Sequence, residues 1–439
     1  MIQYIPKINT IILCMLILLP AAAFPLEYQA GIMLDQQLTL ENNYFNSITG
    51  NFNQSDPFHI ITISPDLHVS EGNLFSLYLL ADLTWDHTWN EEDTDELSAE
   101  FANAYVSLRK FDLISDIGIQ SFRLGRGYIM AGNEPGITAQ YQFTRKLSGK
   151  LEAAEIIHIS PILSTTIDYQ IGFLEKLSIF GAWFHDNDNG FADMLNYQDQ
   201  VLLNQWLYSR NRTLWLLDQT DLLNFSNSKG DLFWYGLSGD IFLGDFFLSG
   251  IMILETGSGT VTLEYPHRDW EFTVSSYLID MDLTYTMNNS FSAGTFLFIT
   301  GGTDARQKNF NTFIAPMPQN NRTAIFFSPR FSNQIEEDFL SKGGIYWAGV
   351  IAPGIKIQYD PSENWQTAFT LATFFPEDKP AKERNWYGWE ADFDVSYTLH
   401  NNYTLFCESG WFQHGNFYEY QGKTPDPATR FTIGINAFF

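Results

Sequence analysis

The residues best placed to do chemistry in this chain stand two apart along short extended runs. Between 389 and 399, Glu390, Asp392 and Asp394 alternate with Trp389, Ala391, Phe393 and Val395, which puts the acids on one strand face and the apolar residues on the other. Acids repeated on one face of several strands act on solutes through charge, concentrating counter-ions and excluding co-ions. Bond-making chemistry has less support. The eight histidines, His59, His68, His158, His185 and His400 among them, show no H-E-x-x-H or other metal-ligand spacing, and no G-x-S-x-G elbow occurs. The run from His185 to Gly190 has oxygen ligands at short spacing but lacks the rest of a calcium loop, so it reads as the start of a polar loop. No catalytic residue, metal or cofactor is expected.

The elements that carry these acids repeat from end to end. Ile61, Ile63, Leu67 and Val69 alternate with Thr62, Ser64, Asp66 and His68, and the pattern returns around Ile137 to Phe143 and Tyr277 to Tyr285. Short turns fall at Ser70–Asn73, Lys110–Asp112, Lys146–Gly149, Leu174–Lys176, Leu243–Asp245, Asn288–Ser290, Asp360–Asn364 and His400–Asn402. Longer connections lie between them, among them 41–56, 188–230, 302–342 and 415–427. Short turns on one side and long loops on the other are the rhythm of a transmembrane antiparallel β-barrel, with periplasmic turns and extracellular loops. The breaks delimit about eighteen strands. The last strand places Phe431, Ile433, Ile435, Ala437 and Phe439 on one face and must pair with the first, since an open edge cannot exist in lipid. A terminal Phe also resembles the signal read by the outer-membrane assembly machinery.

Compartment and composition agree with an all-β outer-membrane barrel. Lys7, the apolar run Ile11–Leu19, Pro20 and Ala21–Ala23 form a signal peptide, so residues 1–23 are expected to be removed and 24–439 to form a single barrel domain. Cys14 leaves with the leader, and the remaining Cys407 excludes a disulfide framework. A formal charge of −27 argues against nucleic acid and suits calcium-bridged lipopolysaccharide; lipid, lipopolysaccharide and a polar solute or polysaccharide are the expected partners.

Strand phase assigns the inner face. The expected inward acids are Asp35, Asp66, Asp82, Asp86, Asp116, Asp168, Asp280, Asp282, Glu390, Asp392, Asp394 and Glu408, against the bases Arg109, Lys356, Arg430 and one or both of Arg123 and Arg126. Such a lumen favours cations or neutral polyols, unless acids and bases pair along the wall as structural ladders. Ile117 and Ile119 set one register and Phe122 and Leu124 the other; a bulge near Ser121 would turn Arg123 inward, and without it Arg126 faces the lumen. Residues 177–184 and 291–299 are apolar on both faces, and the helically spaced apolar residues of 188–230 could fold into the barrel or pack on its rim.

Ala104-Tyr105-Val106, followed after a short turn by Phe122-Arg123-Leu124-Gly125-Arg126, resembles the alginate-export family of outer-membrane porins, with Gly127 where that family has Gln. The resemblance implies a single-chain barrel of eighteen strands with an arginine-lined constriction that passes anionic polysaccharide. A porin-like channel is therefore the expected function. A surface-facing barrel hydrolase with a Ser-His or Asp-His set at the rim, or a loop-based receptor or adhesin, is the alternative.

Overall fold

The computed structural model describes residues 27–42, 44–46, 51–53, 57–72, 74–89, 96–156, 160–186, 192, 225–263, 268–303, 311–316, 322–327, 348–378, 385–400, 402–418 and 425–439. Residues 1–23, expected to form a leader, and most of the 188–230 connection lie outside these residues. The strands are β1 (Glu27–Asn42), β2 (Tyr44–Asn46), β3 (Asn51–Asn53), β4 (Phe58–Glu71), β5 (Phe75–Thr88), β6 (Glu96–Lys110), β7 (Leu113–Leu124), β8 (Met130–Gln142), β9 (Leu147–Ile156) and β10 (Ser160–Gln170). They continue as β11 (Lys176–Asp186), β12 (Phe225–Leu243), β13 (Phe246–Leu263), β14 (Arg268–Asn288), β15 (Phe291–Thr300), β16 (Val350–Ser362), β17 (Trp365–Phe374), β18 (Gly388–Leu399), β19 (Tyr403–His414) and β20 (Ala428–Phe438).

Apart from the small β2–β3 hairpin, the strands form one 18-stranded sheet whose consecutive members pair antiparallel. It closes on itself because β1 pairs with both β4 and β20, from Met33 opposite Phe438 to Asn42 opposite Thr429 on the latter side. Closure satisfies the backbone groups that an edge would leave bare in hydrocarbon. The final strand therefore lies where its pattern demands.

All eight short turns join strands at one end of the cylinder. Several are tightened by a residue in the left-handed region: Gly72 (φ 52°) and Gly244 (φ 69°), where glycine adopts it freely, and Phe111 (φ 55°) and His400 (φ 52°), where it carries strain. The 188–230 connection is shorter than its composition suggests, because β12 already begins at Phe225.

An apolar belt circles the outside. On β12, Tyr235, Leu237 and Leu243 are each more than half exposed, with Phe233 and Ile241 on the same face. From Phe233 to Leu243 a strand tilted by ~40° rises about 25 Å, the height of a bilayer core in such barrels. Above the belt, on the same outer face, stand Lys229 and Asp231 on β12, Ser258 and Thr260 on β13, and Thr273 and Glu271 on β14. Strands of 18 to 21 residues here thus extend past the hydrocarbon into the polar layer.

The strands apolar on both faces find their explanation inside. A Cβ on Gly236 would stand 2.0 Å from the ring of Phe180, and one on Gly354 would stand 2.2 Å from that of Phe296. Each inward phenylalanine lies flat over a glycine of the adjacent strand, so its ring packs against the wall with no need for polar surroundings. Phe180 and Phe296 belong to a continuous interior cluster with Trp234, Ile253, Leu278, Phe298, Phe326, Phe374 and Phe412. This cluster fills the interior beside those strands.

Candidate channel lumen

Directly opposed residues of antiparallel strands share a face, so register places each side chain. Asp35 of β1 lies opposite Thr62 of β4, Asp86 of β5 opposite Ile60, Asp66 of β4 opposite Leu80 and Asp116 of β7 opposite Ser107, all on the inner face together with Asp82. Arg109 of β6 lies inward opposite Ile114, near the short-turn end. Asp280 and Asp282 of β14, Glu390, Asp392 and Asp394 of β18, Glu408 of β19, Lys356 of β16 and Arg430 of β20 also occupy inner positions. Asp168 of β10 pairs inward with Lys176 at 2.9 Å and accepts a 2.6 Å hydrogen bond from Ser178.

Two groups of these acids have different fates. From β12 to β20 the inner wall is clothed by segments of the connection between β15 and β16. Ile314 donates its N–H to Glu255 (2.9 Å) while its carbonyl accepts from Trp234 Nε1 (3.1 Å), and Ser276 Oγ donates to the Asn311 carbonyl (2.6 Å). Arg322 makes a two-pronged contact with Asp282 (2.9 and 2.6 Å) and also pairs with Asp280. Its guanidinium lies 4.9 Å from the centre of the Phe296 ring. Burial opposes charge on Arg322, but the Asp282 hydrogen bonds and the Asp280 charge outweigh it and hold its pKa above the ordinary arginine value.

Across the barrel, the Ile325 and Phe326 amides donate to Glu390 (2.6 and 2.8 Å), the Ala324 amide reaches Asp392 (3.3 Å), and Arg430 donates to the Ala324 carbonyl (3.0 Å). Phe326 stacks on Phe374 at 3.9 Å between ring centres. Fully buried carboxylates are costly unless hydrogen-bonded, and here the inserted loop supplies the donors. These acids are anchors for the loop.

The turn between β7 and β8 inserts as well. The β7–β8 register runs unbroken from Leu113 opposite Tyr141 to Leu124 opposite Met130, so the expected bulge near Ser121 is absent. Phe122 and Leu124 are buried, and Arg123 falls on the opposite, exposed face of the hairpin, where its Nε donates to the Arg126 carbonyl (3.2 Å). Arg126, in a left-handed conformation (φ 58°), reaches Asp240 (2.9 Å), Ser249 (2.6 Å) and the Gly239 carbonyl (3.2 Å) on the inner wall of β12 and β13. Two residues on, the Tyr128 hydroxyl donates to Asp280 (2.6 Å). Burial, then the adjacent carboxylate, raises the Tyr128 pKa well above the usual phenol range. Asp280 is thus a shared anchor for both inserted segments.

On the arc of five strands formed by β1 and β4 to β7, no described segment covers the wall. Asp35, Asp66, Asp82, Asp86 and Asp116 enter no ion pair among the described residues. Asp66 Oδ1, Asp86 Oδ1 and Asp116 Oδ1 are buried against the wall with no hydrogen-bond partner, as are single oxygens of Glu255 and Asp392 on the covered side. Strand phase foretold the inward acids but missed Tyr128, Arg322, Asp240 and Glu255. The last two sit at inner-face positions of β12 and β13, and the paired Phe326 and Phe327 within a long polar connection were a sign that it returns to the interior.

The outer rim carries a histidine–acid contact beside a serine. His185 Nδ1 and Trp183 Nε1 both lie 2.8 Å from Asp231 Oδ1 on the outer face, at a cavity of about 700 Å³ that Ser258 and Glu271 also line. Ser258 is the partner of Asp231 on the far strand, so the acid stands between histidine and serine. A proton relay requires the histidine in the middle. Asp186 points the other way and accepts from Ser228, so it shares no ion with His185. Among the described residues no group of three acid, histidine or cysteine side chains could hold a metal.

No family model and no curated protein matches the chain. Solved structures do. Pseudomonas aeruginosa OpdQ aligns at TM-score 0.56 and 10% identity over 94% of this chain and 97% of its own, and P. aeruginosa OccK11 (OpdR) at 0.55 and 11% over 94% and 96%. P. aeruginosa OpdK, solved with vanillate, aligns at 0.53 and 8% over 94% and 98%. At such identities the likeness is one of fold. The chain has the fold of the Occ outer-membrane channels, and its closed cylinder with an apolar belt defines it as a barrel of the Gram-negative outer membrane.

Proposed function

We propose that the protein is a passive channel for small polar solutes that favours cations and neutral molecules over anions. The observation that carries this reading is the uncovered acidic arc of β1 and β4 to β7, facing a lumen narrowed from the other side by the inserted segments. Like-signed charges in a low-dielectric passage raise the local counter-ion concentration and exclude co-ions. OpdK, whose fold this chain shares, was solved with vanillate, which is consistent with a solute of that modest size.

Export of an anionic polysaccharide, the function implied by the likeness of the segment from Ala104 to Arg126 to alginate porins, has less support. It requires an arginine-lined constriction, whereas Arg126 is engaged by Asp240 and Arg322 by Asp282 and Asp280, and Arg430 is held between Glu41 (3.8 Å) and the Ala324 carbonyl, which leaves Arg109 and Arg123 outnumbered by the inward acids. We read residues 1–23 as an export leader, so the N-terminus of the membrane-inserted protein is expected at Phe24. Single-channel recording in a planar bilayer tests the function. Stepwise ohmic openings are expected; an electrically silent barrel that hydrolyses lipid or peptide would overturn it.

A further inference from the structure

On the uncovered arc, three aromatic side chains fall in a single row around the inner wall. His68 of β4 is opposed by Tyr78 of β5, and Tyr78 by Tyr105 of β6. Their ring centres are 6.5 and 5.5 Å apart, and all three are partly exposed. The next position in the row, opposite Tyr105, is Gly118, which contributes no side chain there.

Acids bracket the row. Asp66 lies two residues from His68 on the same face, and Asp116 lies opposite Ser107, two residues beyond Tyr105. Neither enters an ion pair among the described residues, and in each Oδ1 is buried against the wall without a hydrogen-bond partner, so the charge beside the rings is not offset by the protein. Asp66 lies over Gly31, where a Cβ would stand 2.5 Å from its Oδ1, so the carboxylate hugs the wall beside the rings.

We propose that His68, Tyr78 and Tyr105 form a solute track for small organic cations, ammonium or guanidinium compounds with an apolar body, with Asp66 and Asp116 supplying the counter-charge. The proposal rests on the channel reading above and names its preferred solute class. Ring faces attract a cation through their quadrupole and cover its apolar part, while an acid beside the ring accepts its N–H groups. A potassium ion gains the charge term alone. A neutral aromatic gains the stacking alone, and an anion is repelled.

The test is block of potassium current through the full-length protein in a planar bilayer by benzylammonium, benzyl alcohol and benzoate in turn. Benzylammonium is expected to interrupt the current at concentrations about tenfold below those of the other two, the factor that a contact of this kind corresponds to. Tyr78→Leu and Tyr105→Leu should each weaken that block several-fold, Tyr78→Phe should retain it, and Asp66→Asn should reduce it together with cation preference. Phe173→Ala, in an exposed turn, serves as the control. Equal potency of the three compounds, or block undiminished in both leucine variants, would overturn the track while leaving the channel standing. Absence of potassium steps would remove the channel and the track with it. The wild-type comparison decides even where a leucine variant fails to assemble.

Discussion

Two arcs of this barrel, β12 to β20 and β1 with β4 to β7, are built from the same kind of two-faced strand and use their inner acids in opposite ways. From β12 to β20 the carboxylates of Glu255, Asp280, Asp282, Glu390 and Asp392 are consumed in holding folded-in segments, and the phenylalanines beside them pack against those segments or against wall glycines. On β1 and β4 to β7 the acids enter no ion pair and meet no inserted segment among the described residues, and the rings among them remain partly exposed. An inward acid is therefore not in itself a pore residue. What decides is whether the sequence supplies a donor that folds onto it.

The comparison can be broken most severely by removing the covering. Excision of 311–327, with the ends of the connection rejoined, should raise single-channel conductance several-fold and free Glu390 and Asp282 to face the lumen. An unchanged conductance would mean that the segment does not narrow the path. Next in size, Arg322→Ala leaves Asp280 and Asp282 facing each other near a buried interface, where loss of one member of such a group costs about 3 kcal/mol. Because Asp280 also holds Tyr128, both inserted segments should loosen together, seen as noisy, enlarged openings and as lowered thermal stability.

A smaller and more discriminating effect separates the arcs directly. Asp66→Asn and Asp116→Asn should each shift the reversal potential in a potassium chloride gradient toward zero by several millivolts, and Asp280→Asn should shift it less, because its charge is already offset by Arg322. The smallest effect lies at the seam where the arcs meet. Thr39 and Thr432 share a buried 3.0 Å hydrogen bond across the closing β1–β20 pair, and Thr432→Val should cost about 1 kcal/mol in a urea unfolding curve without altering selectivity.

The cylinder was legible in the sequence because its physics is local. Period-two alternation reports a face, and turns such as Leu243–Asp245 and His400–Asn402 report chain reversal, so strand number and the inward positions of Asp66, Asp116 and Glu390 follow from neighbours a few residues apart. The filling was not. Arg322 meets Asp282 forty residues back, and Ile325 meets Glu390 sixty-five residues on, pairings that no short window contains. The two-faced apolar strands, 177–184 and 291–299, were visible as exceptions; their cause, a ring laid over Gly236 or Gly354, depends on the neighbouring strand. At Ser121 the apparent clash of phases tempted a bulge, whereas the continuous β7 satisfies Phe122 and Leu124 by turning them into the filled interior.

The sign of ion selectivity tests the central claim most directly. With the full-length protein between potassium chloride solutions differing tenfold in concentration, the zero-current potential should have the polarity of a cation-preferring pore and should fall when Asp66 and Asp116 are neutralised together. A potential of the opposite polarity, or one indifferent to those two carboxylates, would contradict an open acidic arc.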